Sequence, residues 1–233
     1  FTSDCNLFLH EQTSVIGNLH KITSRFATEL FSYYDKTSKV KDYPVENDFF
    51  EEARIRDEIK TVIFLGGSQG AVFINEFALK VAPKLNEMGI KIIHQTGKKD
   101  FNRVFHAYRS LGITADVFDF DKNIVNKMSK ADFAVSRSGA STLWELSANS
   151  LPTLFIPYPY AAKDHQYHNA QFLLKKELCF IKRENELTES FFLNCLNNEN
   201  IHMMSKGLVN SILLDGIKSM VDIILYENEQ DQA

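Results

Sequence analysis

The chain has 233 residues, 44% of them hydrophobic, with a formal net charge of −4 and a pI near 6.0. That length can bury a core and form one or two domains, while the acidic balance excludes the basic face of a nucleic-acid binder. No run of about 18 apolar residues exists, so no membrane-spanning helix is expected. Cys5, Cys179 and Cys195 are odd in number and form no CxxC pair. A disulfide framework or zinc site is therefore not expected, and a reducing cytoplasm fits best.

The chain begins without Met and close to a short apolar run, "NLFLH" (6–10), read as a strand. It is therefore expected to be a fragment of a longer protein, and no signal peptide is read at its start. "SVIGNLHKITSRFA" carries Ile16, Leu19, Ile22 and Phe26 at roughly helical spacing, and "TELFSYY" reads as another short strand. The stretch 35–60 is polar, charged and broken at Pro44, which makes it the linker candidate.

A regular pattern follows. Strands are expected at 61–67, 90–97, 115–120, 132–139, 152–159 and 178–182, with helices between them. Residues 184 to about 226 read as helices, and "ENEQDQA" as a solvated tail. Strands alternating with helices predict an α/β fold with a doubly wound parallel sheet. No internal repeat or low-complexity tract is present.

Ligands of open α/β sheets bind outside the carboxyl ends of the strands. Three stretches fall there. In "FLGGSQGAVFINEF" (64–77), Gly66, Gly67 and Gly70 allow a tight turn into a helix whose free N–H groups suit an anion, and Ser68 adds a hydroxyl. Without lysine it is no P-loop, and GGxxG is not the dinucleotide fingerprint. A tight connection with no ligand is the alternative.

"SRSGASTLWE" (136–145) offers a second glycine turn and a second helix start, with Ser138, Ser141 and Thr142 as hydroxyls. Ser141 or Thr142 suits the N-cap. Two anion-ready helix ends on one sheet suggest a diphosphate. Glu145 either favours the helix dipole or accepts hydrogen bonds from a ribose diol. Arg137 reads as a structural ion pair, and Trp144 as core or pocket wall.

In "PYPYAAKDHQYHNA" (157–170), two prolines stiffen a loop, and Asp164, His165, Gln166, His168 and Asn169 crowd the next helix start. His165 and His168 lack a third ligand nearby, so no metal is expected. Amide and carboxylate groups fit sugar hydroxyls better. His94, in "HQTG", either lines the site or is a satisfied loop residue. "HEQT" (10–13) holds an acid or base with no assigned proton to move.

"GGSQGA", "HQTG", "ADFAVSRSGASTLWE" and "IPYPYAAKDHQYHNA", in this order and spacing, resemble the MurG family of glycosyltransferases, with "HEQ" and "YPV" as further landmarks. The resemblance runs from about residue 9 to about 176. It implies the GT-B architecture of two Rossmann-like domains. Residues 1–46 would end the N-terminal acceptor domain and start the linker, and 47–58 would be the linker. Residues 59–210 would form the C-terminal UDP-sugar-binding domain, and 211–233 a C-terminal helix and tail.

The resemblance also implies an inverting hexosyltransferase of peptidoglycan biosynthesis. It would move N-acetylglucosamine from UDP-GlcNAc to lipid I, giving lipid II, at the cytoplasmic face of the inner membrane. No cofactor or metal is implied, since UDP-GlcNAc is a substrate. The catalytic base and the membrane-binding surface would lie in an N-terminal part that has no counterpart here, so the fragment would bind donor without turnover.

Carried over by motif, Ser68 would touch the donor phosphates. Ala140, Ser141, Thr142, Leu143, Trp144 and Glu145 would form the nucleotide wall, with Glu145 on the ribose. Gln166 would meet sugar hydroxyls and Asp121, through its backbone, the uracil edge. Thr13 replaces the asparagine of HEQN, and Glu46 stands where the family often has an arginine near the uracil. Other readings are a different GT-B UDP-sugar transferase, a non-catalytic nucleotide-sugar module and, disfavoured by the missing fingerprint, a dinucleotide oxidoreductase.

Overall fold

The computed structural model describes residues 5–67, 70–212 and 214–230. At the start, β1 (Phe8–His10) leads through α1 (Asn18–Thr23) to β2 (Glu29–Phe31), and the two strands pair in parallel. The segment expected as a linker is built into the fold and contains a short helix, α2 (Asn47–Glu51). Tyr43, Val45 and Phe49 occur among charged residues but are buried in the second core described below. Arg56 is fully buried as well.

From residue 61 the chain alternates strand and helix: β3 (Thr61–Leu65), α3 (Val72–Glu87), β4 (Lys91–Gln95), α4 (Phe101–Ser110), β5 (Ala115–Phe118), α5 (Val125–Met128), β6 (Phe133–Ser136), α6 (Ala140–Ala148), β7 (Thr153–Phe155), α7 (His165–Lys175) and β8 (Phe180–Ile181). Helices α8 (Glu189–Leu196), α9 (Ile201–Val209) and α10 (Gly216–Gln230) follow. The strands form one parallel sheet in the order β5-β4-β3-β6-β7-β8. All six lie where the apolar runs predict them. Val62, Ile63 and Phe64 are wholly buried because helices cover both faces of the sheet.

One core joins Phe64 and Phe133 to Ile74, Phe77 and Val81 of α3 and Phe192 of α8. The other joins Ile63 and Phe155 to Leu143 and Trp144 of α6 and Leu173 of α7. The chain builds outward from β3 through β4 and β5, then returns to the opposite side of β3 for β6. Connections therefore diverge at the carboxyl ends of β3 and β6, which opens a crevice at that switch point.

The expected solvated tail begins inside α10, which runs to Gln230; residues 231–233 lie outside the described residues. Met220, Ile223 and Ile224 of α10 pack on Phe8, Phe31 and Val40, giving the small β1–β2 sheet a hydrophobic partner. Among the described residues, no helix is long and apolar enough to cross a membrane.

Candidate functional site

Both glycine turns sit at the switch point. After β3, Gly66 N–H donates to the Gln95 carbonyl at 2.9 Å and Gly70 N–H to the Gly67 carbonyl at 3.1 Å. Gly70 has φ +82°, and a Cβ there would lie 2.8 Å from the Thr96 carbonyl oxygen, so only glycine fits. Ala71 is the N-cap of α3 and gives no side-chain hydrogen bond. Ser68, expected at the phosphates, lies outside the described residues.

After β6, Gly139 is the N-cap of α6, again without a side-chain bond. Ser141 and Thr142, expected as caps, stand two and three positions past the N-cap, inside the first turn, because the extended backbone ends at Gly139. At both helix starts the N-cap residue thus leaves the first-turn N–H groups without a side-chain cap of its own, and the positive dipole ends favour an anion.

A cavity of about 470 Å³ opens beside the glycine turn after β3 and the start of α6. Its lining includes Gly66, Gly67, Gly139, Ser141, Thr142 and Glu145, then Tyr43 to Glu46 and Phe49, and Phe120, Asp121 and Lys122. Glu145 follows Ser141 by four residues, so both share one face of α6. Burial, then the nearby Glu46 carboxylate, holds the Glu145 carboxyl above the usual range. Tyr43 is fixed by stacking on Trp144 (5.3 Å between centroids, 6° between planes) and by pairing its hydroxyl with Ser141.

Arg137 borders the cavity but is engaged elsewhere. It pairs with Glu184 at 2.5 Å and donates to the Ile156 and Pro157 carbonyls at 3.0 and 3.2 Å. That is the structural ion pair the sequence suggests. His94 is a buried core residue, bonded to the Tyr108 hydroxyl and to Asn75 Oδ1, each at 3.0 Å. The Asn75 oxygen only accepts, so Nε2 carries the proton. Burial pushes the imidazole down to about 3, which keeps it neutral.

The remaining predicted residues divide. Asp121 lines the cavity, with its carboxylate accepting from Asn123 N–H at 2.8 Å. Ala140 is half-buried at the start of α6, while the Leu143 and Trp144 side chains face the core. Gln166 is outside the cavity lining, and its Oε1 accepts from Tyr158 N–H at 2.9 Å. Thr13 is also outside the lining and is bound to Glu11 through N–H and hydroxyl at 3.1 and 2.9 Å. Tyr43, Phe120 and Lys122 also line the cavity, beyond the residues that the sequence points to as a site. "YPV" was the signal available for Tyr43; nothing local marked the other two.

Residues 61–206 match the glycosyltransferase family 28 C-terminal domain. A protein of Campylobacter jejuni subsp. jejuni serotype O:23/36 (strain 81-176) is 50% identical over 222 residues, covering 95% of this chain and 64% of that protein. A protein of Sulfurimonas denitrificans is 51% identical over 223 residues, covering 95% and 65%. Both are named UDP-N-acetylglucosamine–N-acetylmuramyl-(pentapeptide) pyrophosphoryl-undecaprenol N-acetylglucosamine transferase. The chain thus spans about 64% of the length of such relatives. The crystal structure of Acinetobacter baumannii MurG superposes with a TM-score of 0.77 at 24% identity, covering 95% of this chain and 67% of that one, a likeness of fold.

Proposed function

The chain belongs to the glycosyltransferase family 28 C-terminal domain family, and from that membership we propose that it holds the donor site of an inverting GT-B hexosyltransferase. The proposed donor is UDP-GlcNAc and the proposed acceptor lipid I, giving lipid II for peptidoglycan at the cytoplasmic membrane face. The names of relatives at about half identity support this choice over other UDP-sugar transferases. The observation that carries the donor role is one cavity lined together by the glycine turn that leads into α3, by the start of α6 and by Glu145.

In this reading the diphosphate lies between the two helix ends and the Glu145 carboxylate accepts from the ribose hydroxyls. As the sugar–phosphate bond breaks, negative charge grows on the leaving UDP. The fixed N–H dipoles stabilise that charge without a metal. The base that activates the acceptor hydroxyl is assigned to the third of the relatives that this chain does not span. A non-catalytic nucleotide-sugar module would share the donor site and differ in lacking turnover.

Calorimetric titration of this chain with UDP-GlcNAc, UDP-glucose and NAD tests the reading. Saturable binding of UDP-GlcNAc is expected. Glu145→Ala should weaken it roughly 10- to 100-fold, the worth of a hydrogen bond to a charged group. Binding of NAD in place of UDP-sugars would overturn the proposal.

A further inference from the structure

Asn169 of α7 is fully buried and joins three segments far apart in sequence. Its Oδ1 accepts from Ser14 N–H at 2.9 Å, its Nδ2 donates to the Ser138 carbonyl at 3.1 Å, and its own carbonyl accepts from the Tyr34 hydroxyl at 3.0 Å. Only a side-chain amide supplies a donor and an acceptor in this fixed arrangement.

Each end of that bridge matters. Ser14 belongs to the loop 11–17, which Glu11 shapes by accepting from Thr13 N–H, the Thr13 hydroxyl and Gly17 N–H at 3.1, 2.9 and 3.3 Å. At the other end, the Ser138 carbonyl and the Gly139 N–H belong to one rigid peptide plane and point in opposite directions. Gly139 lines the cavity as the N-cap of α6. An anion at this helix start and the Asn169 amide therefore act on opposite edges of the same plane.

We propose that Asn169 is a positioning residue that couples occupancy of the diphosphate turn to the placement of loop 11–17. The inference rests on the donor-site reading. Anion binding fixes the 138–139 plane, the carbonyl holds the Asn169 amide, and the amide oxygen holds Ser14. The loop is thereby ordered when donor is present.

Hydrogen exchange at Ser14 N–H, with and without saturating UDP, reads this coupling directly. In the parent chain UDP should slow that exchange roughly 5- to 20-fold, toward the low end of the span usual for coupled sites. Asn169→Asp keeps the acceptor for Ser14 and loses the donor to Ser138. Its Ser14 amide should stay protected yet become insensitive to UDP, which a merely structural role would not produce. Linkage is reciprocal, so Glu11→Gln, which loosens the loop, should weaken UDP binding in the parent but not in the Asn169→Asp background.

UDP binding with unchanged Ser14 exchange, or equal Glu11→Gln effects in both backgrounds, would overturn the coupling alone. Failure of the parent chain to bind UDP would overturn the donor-site reading and the coupling with it.

Discussion

The turn after β3 is held by its own neighbourhood, and the turn after β6 by distant parts of the chain. Around the first, Gly66 meets Gln95, and Asn75 donates to the Thr96 carbonyl at 3.1 Å and Asp100 at 2.7 Å. Among the described residues, these partners come from β3, α3, β4 or the residues just after β4. Around the second, Asn169, Tyr43 and Glu184 all reach in from elsewhere. Helix α6 is also gripped at its far end. The buried Arg56 guanidinium donates to the Asn149 carbonyl and, at 2.7 Å, to Asn149 Oδ1, facing the negative end of the helix. The two helix starts offer an anion the same chemistry, but one is set by glycine conformation and the other by tertiary tethers.

The largest effect is expected where the tethers of α6 are cut. Arg56→Ala leaves the Asn149, Met128 and Ala131 carbonyls without this donor in a buried site. The Met128 and Ala131 carbonyls keep other donors, but the two bonds to Asn149 are lost, each worth about 1.5–3 kcal/mol as a hydrogen bond to a charged group, so a total of at least ~3 kcal/mol is expected. Calorimetry should show Tm falling by roughly 6–12 °C for a domain of this size. A fall of only a degree or two would mean that α6 does not depend on this anchor.

Gly70→Ala should cost less, about 1–3 kcal/mol, because it combines a positive φ with the close Thr96 carbonyl. Hydrogen exchange should place the loss at the start of α3 and leave α6 unaffected, as local control of the first turn requires.

The smallest effect concerns Glu145. It holds its proton more tightly in the fold than in the unfolded chain, because of burial and Glu46. Its contribution to stability is full below the ordinary glutamate pKa and is lost as pH rises through the raised value. Glu145→Gln avoids that loss, so the Tm of the variant relative to the parent should climb with pH. A difference that is flat or falls with pH would contradict the buried, carboxylate-facing environment.

The contrast between the turns also explains what the sequence disclosed. Strand runs, both glycine turns and Glu145 are legible because period, turn chemistry and helix-start spacing are local. The tethers are not. Arg56 and Phe49 lie in a charged stretch that reads as a linker, and only the folded core shows them buried. The tail reads as solvated, yet α10 continues through Gln230. The direction of Gln166 depends on the loop before α7, where Lys163 and Asp164 adopt left-handed φ of +53° and +56° and Asp164 pairs with Arg183 at 2.5 Å. Aspartate is enriched in that conformation, but lysine is not, and a left-handed pair in succession is not legible from residue type.

The most direct measurement is an amide NMR titration of the chain with UDP. If one diphosphate bridges the two turns, amides at 71–73 and at 140–142 should shift together along a single saturation curve. Shifts confined to one helix start, or two separate curves, would contradict a shared diphosphate site.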